Sequence, residues 1–458
     1  MRTLVFWFGI VCTVLCGLVD PVWGYAAVFV LAAVQLSMLG AAGDSVFLLI
    51  HYTVVLIYFS LAPAMQIAAD VDFWGVGIIG TPAHTQALML LLLYMAGVEA
   101  ARLGMPERTQ PPRLSHAEHA AGAAHPFLLL LSCSLAAFAA LFIRPDLNFV
   151  ARGVIGDEDS LPIEYIVYST IPKLVVLVCF VALAIHAVRQ RTLWAWCAAA
   201  LAFALAALAA NPVNTARQVI LIGLLPLLIH AIARRHRWTL AAVIFGAIAG
   251  VGPVLNLISR DGMWGASLET FPFSQDFDAM FVVAGLLERA PSPDAGFGRY
   301  LLSAMSFFLP RDLKMFPGFD PLAWSAVGAN FSQSNLSLPP FTTAYFDFGL
   351  LGPAMLGFVI SACFRWVDRI VDPRRALTAT YLCALVLLAA YVPFMRGPIL
   401  GWGPFAASGL IAAVVAGSLS SWFRRTARRP VQQPGHQPGE GPGHGPGHEP
   451  GPVGSPVA

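Results

Sequence analysis

Apolar residues in this chain come in long unbroken runs, and the polar residues collect between them. A run of about 20 apolar residues matches the length of a helix that crosses a bilayer. Such runs lie near 4–19, 22–40, 45–62, 84–101, 126–143, 168–188, 192–210, 217–233, 238–257, 341–362, 376–394 and 405–422. About twelve spans are expected, the shorter ones tilted or partly re-entrant. One polar stretch, 258–340, interrupts the pattern in the second half. The expected organisation is a transmembrane bundle over 1–257, a large loop over 258–340, further transmembrane helices over 341–423 and a polar tail over 424–458. That describes an all-α polytopic membrane protein.

Composition agrees with lipid as the solvent. The 458 residues are 58% hydrophobic and 11% charged, with a mean hydropathy of +0.72, where soluble chains carry roughly 25% charged residues. The net charge of +2 matters less than where the charges sit. With the N-terminus inside, the inner segments hold Arg2; Arg102, Arg108 and Arg113; Arg189 and Arg191; Arg234, Arg235 and Arg237; Arg365, Arg369, Arg374 and Arg375; and Arg424, Arg425, Arg428 and Arg429. These are 17 of the 27 Lys and Arg residues, as the positive-inside rule expects. An even number of spans then puts both termini in the cytoplasm and the 258–340 loop outside. A second apolar stretch follows at once after Asp20-Pro21, which favours an uncleaved first hairpin over a signal peptide. All seven cysteines fall in expected spans, so the loop is held by packing and not by disulfides.

The loop is expected to carry short interfacial helices. Asp276 and Asp278 suit the first turn of a helix running to Glu288-Arg289, because carboxylates favour that end of the helix dipole. A second helix is expected from about Phe297 to Phe308, stopped by Pro310. Both are apolar enough to lie on the bilayer surface. The tail from Pro430 repeats Pro-Gly-His/Glu with a period near four, which excludes a collagen helix and reads as a disordered extension.

Basic residues on the outward side are Arg144, Arg152, Lys173, Arg217, Arg260, Arg289, Arg299, Arg311, Lys314 and Arg396. Arg217 opens a span after Asn211-Pro212-Val213-Asn214-Thr215-Ala216. It is either an interfacial arginine reaching for the headgroups or an anion clamp, with Asn214 beside it and a guanidinium fork that matches phosphate oxygens. Arg311 and Lys314 follow Phe307-Phe308-Leu309 at the expected water–lipid boundary, where they either anchor to headgroups or bind an acidic ligand. Asp347 is expected inside a span, where a carboxylate needs a partner such as Arg217 or Arg311, or serves as a general base. His51 and His84 read as core residues ahead of catalysts. The chain has no His-Glu-x-x-His, Walker A or Gly-x-Ser-x-Gly motif. No metal site or cofactor is expected.

The order of these elements resembles the oligosaccharide repeat-unit polymerases, or O-antigen polymerases. The elements are Arg217 at a middle span, a long outward loop, Phe307 through Lys314, Ser332-Gln333-Ser334-Asn335, and Thr342 through Gly352. The likeness is clearest over about 210–360. In this chain Met315-Phe316 separates Lys314 from Pro317, where a Lys-Pro pair is expected.

The resemblance implies a metal-independent membrane glycosyltransferase of the bacterial inner membrane. Its substrates would be polyprenyl-pyrophosphate-linked oligosaccharides as donor and acceptor. Membrane lipids surround it, a chain-length regulator is a possible partner, and no nucleic acid is involved. Arg217, Arg311 and Asp347 would then be catalytic. Arg260, Lys314, Asn214, Tyr345 and Trp324 would bind substrate, since a departing diphosphate needs cations in a low-dielectric site. An O-antigen ligase shares this architecture. A flippase for the same lipid-linked glycan is the reading from another class, although the ionisable residues sit near span ends and no repeated halves are visible.

Overall fold

In lipid, every backbone N–H and C=O must be bonded within the protein, so the apolar runs fold as helices. The computed structural model describes residues 1–42, 45–73, 75–104, 126–142, 170–212, 214–232, 237–251, 271–273, 277–289, 296–306, 316, 336–371 and 377–427. Arg260, Arg311, Lys314 and Trp324 lie outside these, as do Asp276 and the tail beyond 427. No strand occurs among the described residues.

The helices in chain order are α1 (Arg2–Val19), α2 (Pro21–Ala42), α3 (Val46–Ala68, with a π turn at Ile57–Leu61), α4 (Thr81–Gly104) and α5 (Pro126–Phe142). They continue as α6 (Ile171–Gln190), α7 (Leu193–Ala209), α8 (Arg217–Ile232), α9 (Arg237–Gly246, followed by a π turn), α10 (Ala279–Arg289) and α11 (Arg299–Met305). The last four are α12 (Pro340–Phe348), α13 (Leu351–Ile370), α14 (Ala379–Arg396) and α15 (Ile399–Ala427). Eight are long and apolar enough to cross a membrane: α1 to α4, α6, α13, α14 and the Gly401–Leu419 part of α15. Four shorter apolar helices, α5, α7, α8 and the α9 segment, make up the remaining runs.

Two expectations change. The run at 341–362 is not one helix. It breaks at Gly349, whose φ of 57° lies in the left-handed region open to glycine, leaving a short α12 and the longer α13. Asp347 is therefore outside the membrane-crossing helix. The α10 helix forms at the expected place, directly after Asp278, but it does not lie on a surface. Ala279 through Leu286 are all buried, and the helix packs against α4 and the π turn of α3.

Small residues let α4 and α13 approach closely. A side chain on Gly97 would meet the Ala354 carbonyl oxygen at 2.0 Å, and one on Gly357 would meet that of Tyr94 at 2.2 Å. Ser361 Oγ donates to the Val98 carbonyl across the same seam, at 3.0 Å. This is how membrane helices gain packing where lipid offers no hydrophobic drive between them. On α1 the exposed residues Leu4, Phe8, Val11, Leu15 and Leu18 recur at helical spacing and form one apolar outer face. A buried bridge ties α3 and α4 to α14: His51 Nδ1 lies 2.7 Å from the Tyr391 hydroxyl, which lies 3.2 Å from that of Tyr94. His51 is thus the core residue its sequence position suggested.

The end of the bundle that carries Met1 is tied by polar contacts. Arg2 Nε donates to Gln35 Oε1 at 2.8 Å, and Arg102 donates to Glu99 at 2.6 Å and to Thr3 at 2.7 Å. Arg365 donates to the Ala101 and Arg102 carbonyls, and Asp368 accepts from the Val46 amide that starts α3. All seven cysteines are free thiols.

Candidate functional site

The first turns of α6, α8 and α15 and the last turn of α14 lie at the end of the bundle opposite Met1. These four helices pack on one another in the pairs α6–α8, α6–α15, α8–α14, α8–α15 and α14–α15. Pro172 sits in the first turn of α6, where its fixed φ suits the helix and its missing N–H costs nothing. Lys173 follows it and is 2% exposed. Its Nζ donates to Asn214 Oδ1. Asn214 is held in turn by Asn211, whose side-chain oxygen accepts the Asn214 amide at 3.1 Å while its carbonyl accepts the Thr215 amide at 3.0 Å. This turn ends where Arg217 begins α8. Arg396 closes α14 at the same end.

The charges there oppose ordinary helix electrostatics. A helix N-terminus carries roughly half a positive charge, so a cation in the first turn is disfavoured by about 0.3–1 kcal/mol even when exposed. Here two cations occupy first turns, Lys173 on α6 and Arg217 on α8, and Lys173 is buried. Two cations therefore stand at the starts of two packed helices, with Lys173 already bonded to Asn214. Three uncharged groups near this end are also buried without hydrogen-bond partners: Thr215 Oγ1, Gln218 Oε1 and Trp402 Nε1. The threonine hydroxyl and the indole N–H can both donate to a ligand oxygen.

Asp347 does something else. Its Oδ1 accepts the Tyr300 amide at 3.0 Å and its Oδ2 the Leu301 amide at 2.8 Å, so the carboxylate caps the first turn of α11. The backbone joins in, with Gly296 N donating to Phe346 O and Phe297 N to Asp347 O. The approach is close enough that a Cβ on Gly296 would stand 2.4 Å from Asp347 Oδ1. Burial pushes the carboxyl above the ordinary carboxylate range, and the Leu301, Tyr300 and Gly298 amides oppose that rise. A nearby helix start supplies backbone donors that need an acceptor, and Asp347 meets them; Arg311, one of its two expected partners, lies outside the described residues.

Of the residues singled out from sequence, Asn214 bonds Lys173, and Arg217 follows it at the start of α8. Tyr345 is half-buried on α12, with its ring 6.1 Å from Phe346. By sequence alone Lys173 and Arg396 stand out only as outward basic residues. Lys173 is the partner of Asn214, 41 residues away. The available signal was its place in the first turn of a span, directly after Ile171-Pro172.

In comparisons with family models, curated proteins and solved structures, nothing matches this chain.

Proposed function

We propose that the chain polymerises polyprenyl-pyrophosphate-linked oligosaccharide repeat units into a surface polysaccharide, at the outer face of a bacterial inner membrane. The observation that carries this reading is the pair of cations, Lys173 and Arg217, in the first turns of two packed helices, with Arg396 at the same end. A membrane enzyme acting on a lipid diphosphate needs such an anion site at a membrane-proximal position. The sequence resemblance supplies the glycan. The basic residues clustered toward the Met1 end orient that end to the cytoplasm and the cationic end outward.

In the proposed reaction the acceptor hydroxyl oxygen attacks the anomeric carbon of the donor. The bond from that carbon to the diphosphate oxygen breaks as the new glycosidic bond forms, and the hydroxyl proton passes to a phosphate oxygen. Negative charge grows on the departing diphosphate, and cations in a water-poor site stabilise that charge more than the ground state. Asn214 fixes the Lys173 ammonium and thereby its aim.

The test is the lipid-linked and surface glycan profile of cells carrying wild type, Arg217→Ala or Lys173→Met. Loss of long polymer, with single units still reaching the outer face, supports the reading. Units trapped facing the cytoplasm overturn it in favour of a flippase. Finished polymer stranded on its carrier overturns it in favour of ligase-type transfer.

A further inference from the structure

At the Met1 end, away from the cations of α6 and α8, the helices α4 and α13 finish side by side. Arg365 of α13 donates through Nη1 to the carbonyls of Ala101 at 3.3 Å and Arg102 at 2.8 Å, in the last turn of α4. Those bonds pin the guanidinium. Its Nε and Nη2 make no hydrogen bond among the described residues, and neither atom is fully buried. Arg369 follows one turn later, exposed and without a hydrogen bond or ion pair among the described residues. The described carboxylates nearby have other partners: Glu99 holds Arg102, and Asp368 accepts the Val46 amide. Like charges at this spacing on a helix repel, and a guanidinium fork matches the oxygens of a phosphate. The dipole of α13 favours cations in its last turn, so the arginines by themselves assign no ligand.

The apolar residues beside them add one. Leu351, Met355, Phe358, Val359 and Trp366 are exposed and recur at helical spacing on one face of α13. Arg369, three residues after Trp366, continues that face. From Leu351 to Arg369 the helix rises about 27 Å, close to the thickness of a bilayer's hydrocarbon. With Leu351 at one boundary, Arg369 stands at the headgroups of the other, and the Trp366 ring, 62% exposed, lies at the level where amphipathic rings settle.

We propose that Arg365, Arg369 and Trp366 form a binding site for one anionic phospholipid. Its phosphate is held by the two guanidiniums, and an acyl chain lies along Trp366, Val359 and Phe358. The apolar stripe selects a lipid over a soluble phosphate, because it would otherwise add nothing to binding. The charge selects an anionic headgroup: a zwitterionic one would bring its ammonium beside two cations whose neighbouring carboxylates are already engaged. The site is independent of the polymerase reading. The orientation proposed above decides only that the inner leaflet supplies the lipid.

The test is native mass spectrometry of the full chain, released from detergent with equal amounts of phosphatidylglycerol and phosphatidylethanolamine of the same acyl chains. Wild type should retain phosphatidylglycerol about tenfold over phosphatidylethanolamine, the worth of one charge-assisted hydrogen bond. Arg369→Gln, at an exposed position, should bring the two lipids close to equal retention. Trp366→Ala should lower retention of both without changing their ratio. Arg191→Gln removes another exposed arginine at the same end, just after α6, and should leave the ratio as in wild type. Equal retention of the two lipids by wild type overturns the proposal. So does a fall in Arg191→Gln as large as in Arg369→Gln, which would mark diffuse attraction to the whole basic end. Displacement of phosphatidylglycerol by equimolar glycerol 3-phosphate would mark a soluble-phosphate site and overturns it too. Retention unchanged in Trp366→Ala overturns the placement of the acyl chain on α13.

Discussion

Replacing Asp347 separates two jobs that a buried carboxylate can do. In the structure its oxygens accept the Tyr300 and Leu301 amides at 3.0 and 2.8 Å. Bonds to a charged acceptor contribute about 1.5–3 kcal/mol each, and an orphaned buried N–H costs a similar amount. Asp347→Ala removes both acceptors, so α11 should lose about 3 kcal/mol of local stability. Seven residues form too short a helix to persist without such a cap. Asp347→Asn keeps one carbonyl oxygen and should cost roughly half as much. The assay is amide hydrogen exchange over 300–306 in detergent-solubilised protein. A loss of about 3 kcal/mol corresponds to exchange faster by a factor on the order of 100 in the alanine variant. The asparagine variant should fall between it and wild type, with polymer output falling in the same order. If Asp347→Ala keeps full protection over these amides while polymer disappears, the capping argument is refuted and the carboxylate acts directly in the chemistry.

Other outcomes follow from the same geometry. Lys173→Met keeps the apolar stem but removes the ammonium bound to Asn214; polymer output should drop about 100-fold, the usual effect of removing one electrostatic stabiliser, with an unchanged size-exclusion profile. Gly97→Ala places a methyl 2.0 Å from the Ala354 carbonyl oxygen, so α4 and α13 must separate at a cost of about 1–3 kcal/mol. A lower melting temperature measures that cost, and an unshifted one contradicts the close seam. Arg102→Ala strands the fully buried Glu99 carboxylate. The expected cost is about 3 kcal/mol, the lower end for a broken buried pair, because Arg2 and Arg365 lie nearby. Adding Glu99→Gln should restore most of it in a double-mutant cycle of melting temperatures.

Several features of this fold were legible one segment at a time. The helix expected from Asp276 and Asp278 to Arg289 is observed over Ala279–Arg289, and the one expected from about Phe297 to Phe308 is observed over the shorter Arg299–Met305. The break at Gly349 was not legible, since Phe346 through Leu356 reads as a continuous apolar stretch apart from Asp347 and the glycines. Just before the break, Asp347 accepts amides 46 and 47 residues earlier, a contact between remote segments. Similarly, α10 has the composition of a surface helix, but the far end of the bundle leaves a space against α4 that it fills. In the candidate site, Arg217 and Asn214 stood out because they adjoin in sequence. Lys173 did not, because nothing local connects it to a turn 41 residues downstream.

The sequence by itself determined that this is a helical membrane protein, roughly where its apolar helices begin and end, and which end of the bundle gathers the arginines. Those properties follow from transfer of a window of about 20 residues into lipid, which each segment settles alone. Tertiary structure alone decided that Lys173 meets Asn214, that Asp347 accepts two amides at the start of α11, and that Ser361 meets the Val98 carbonyl. Each of these depends on a hydrogen bond or a packing contact between remote segments, and such contacts leave no periodic trace in the order of residues.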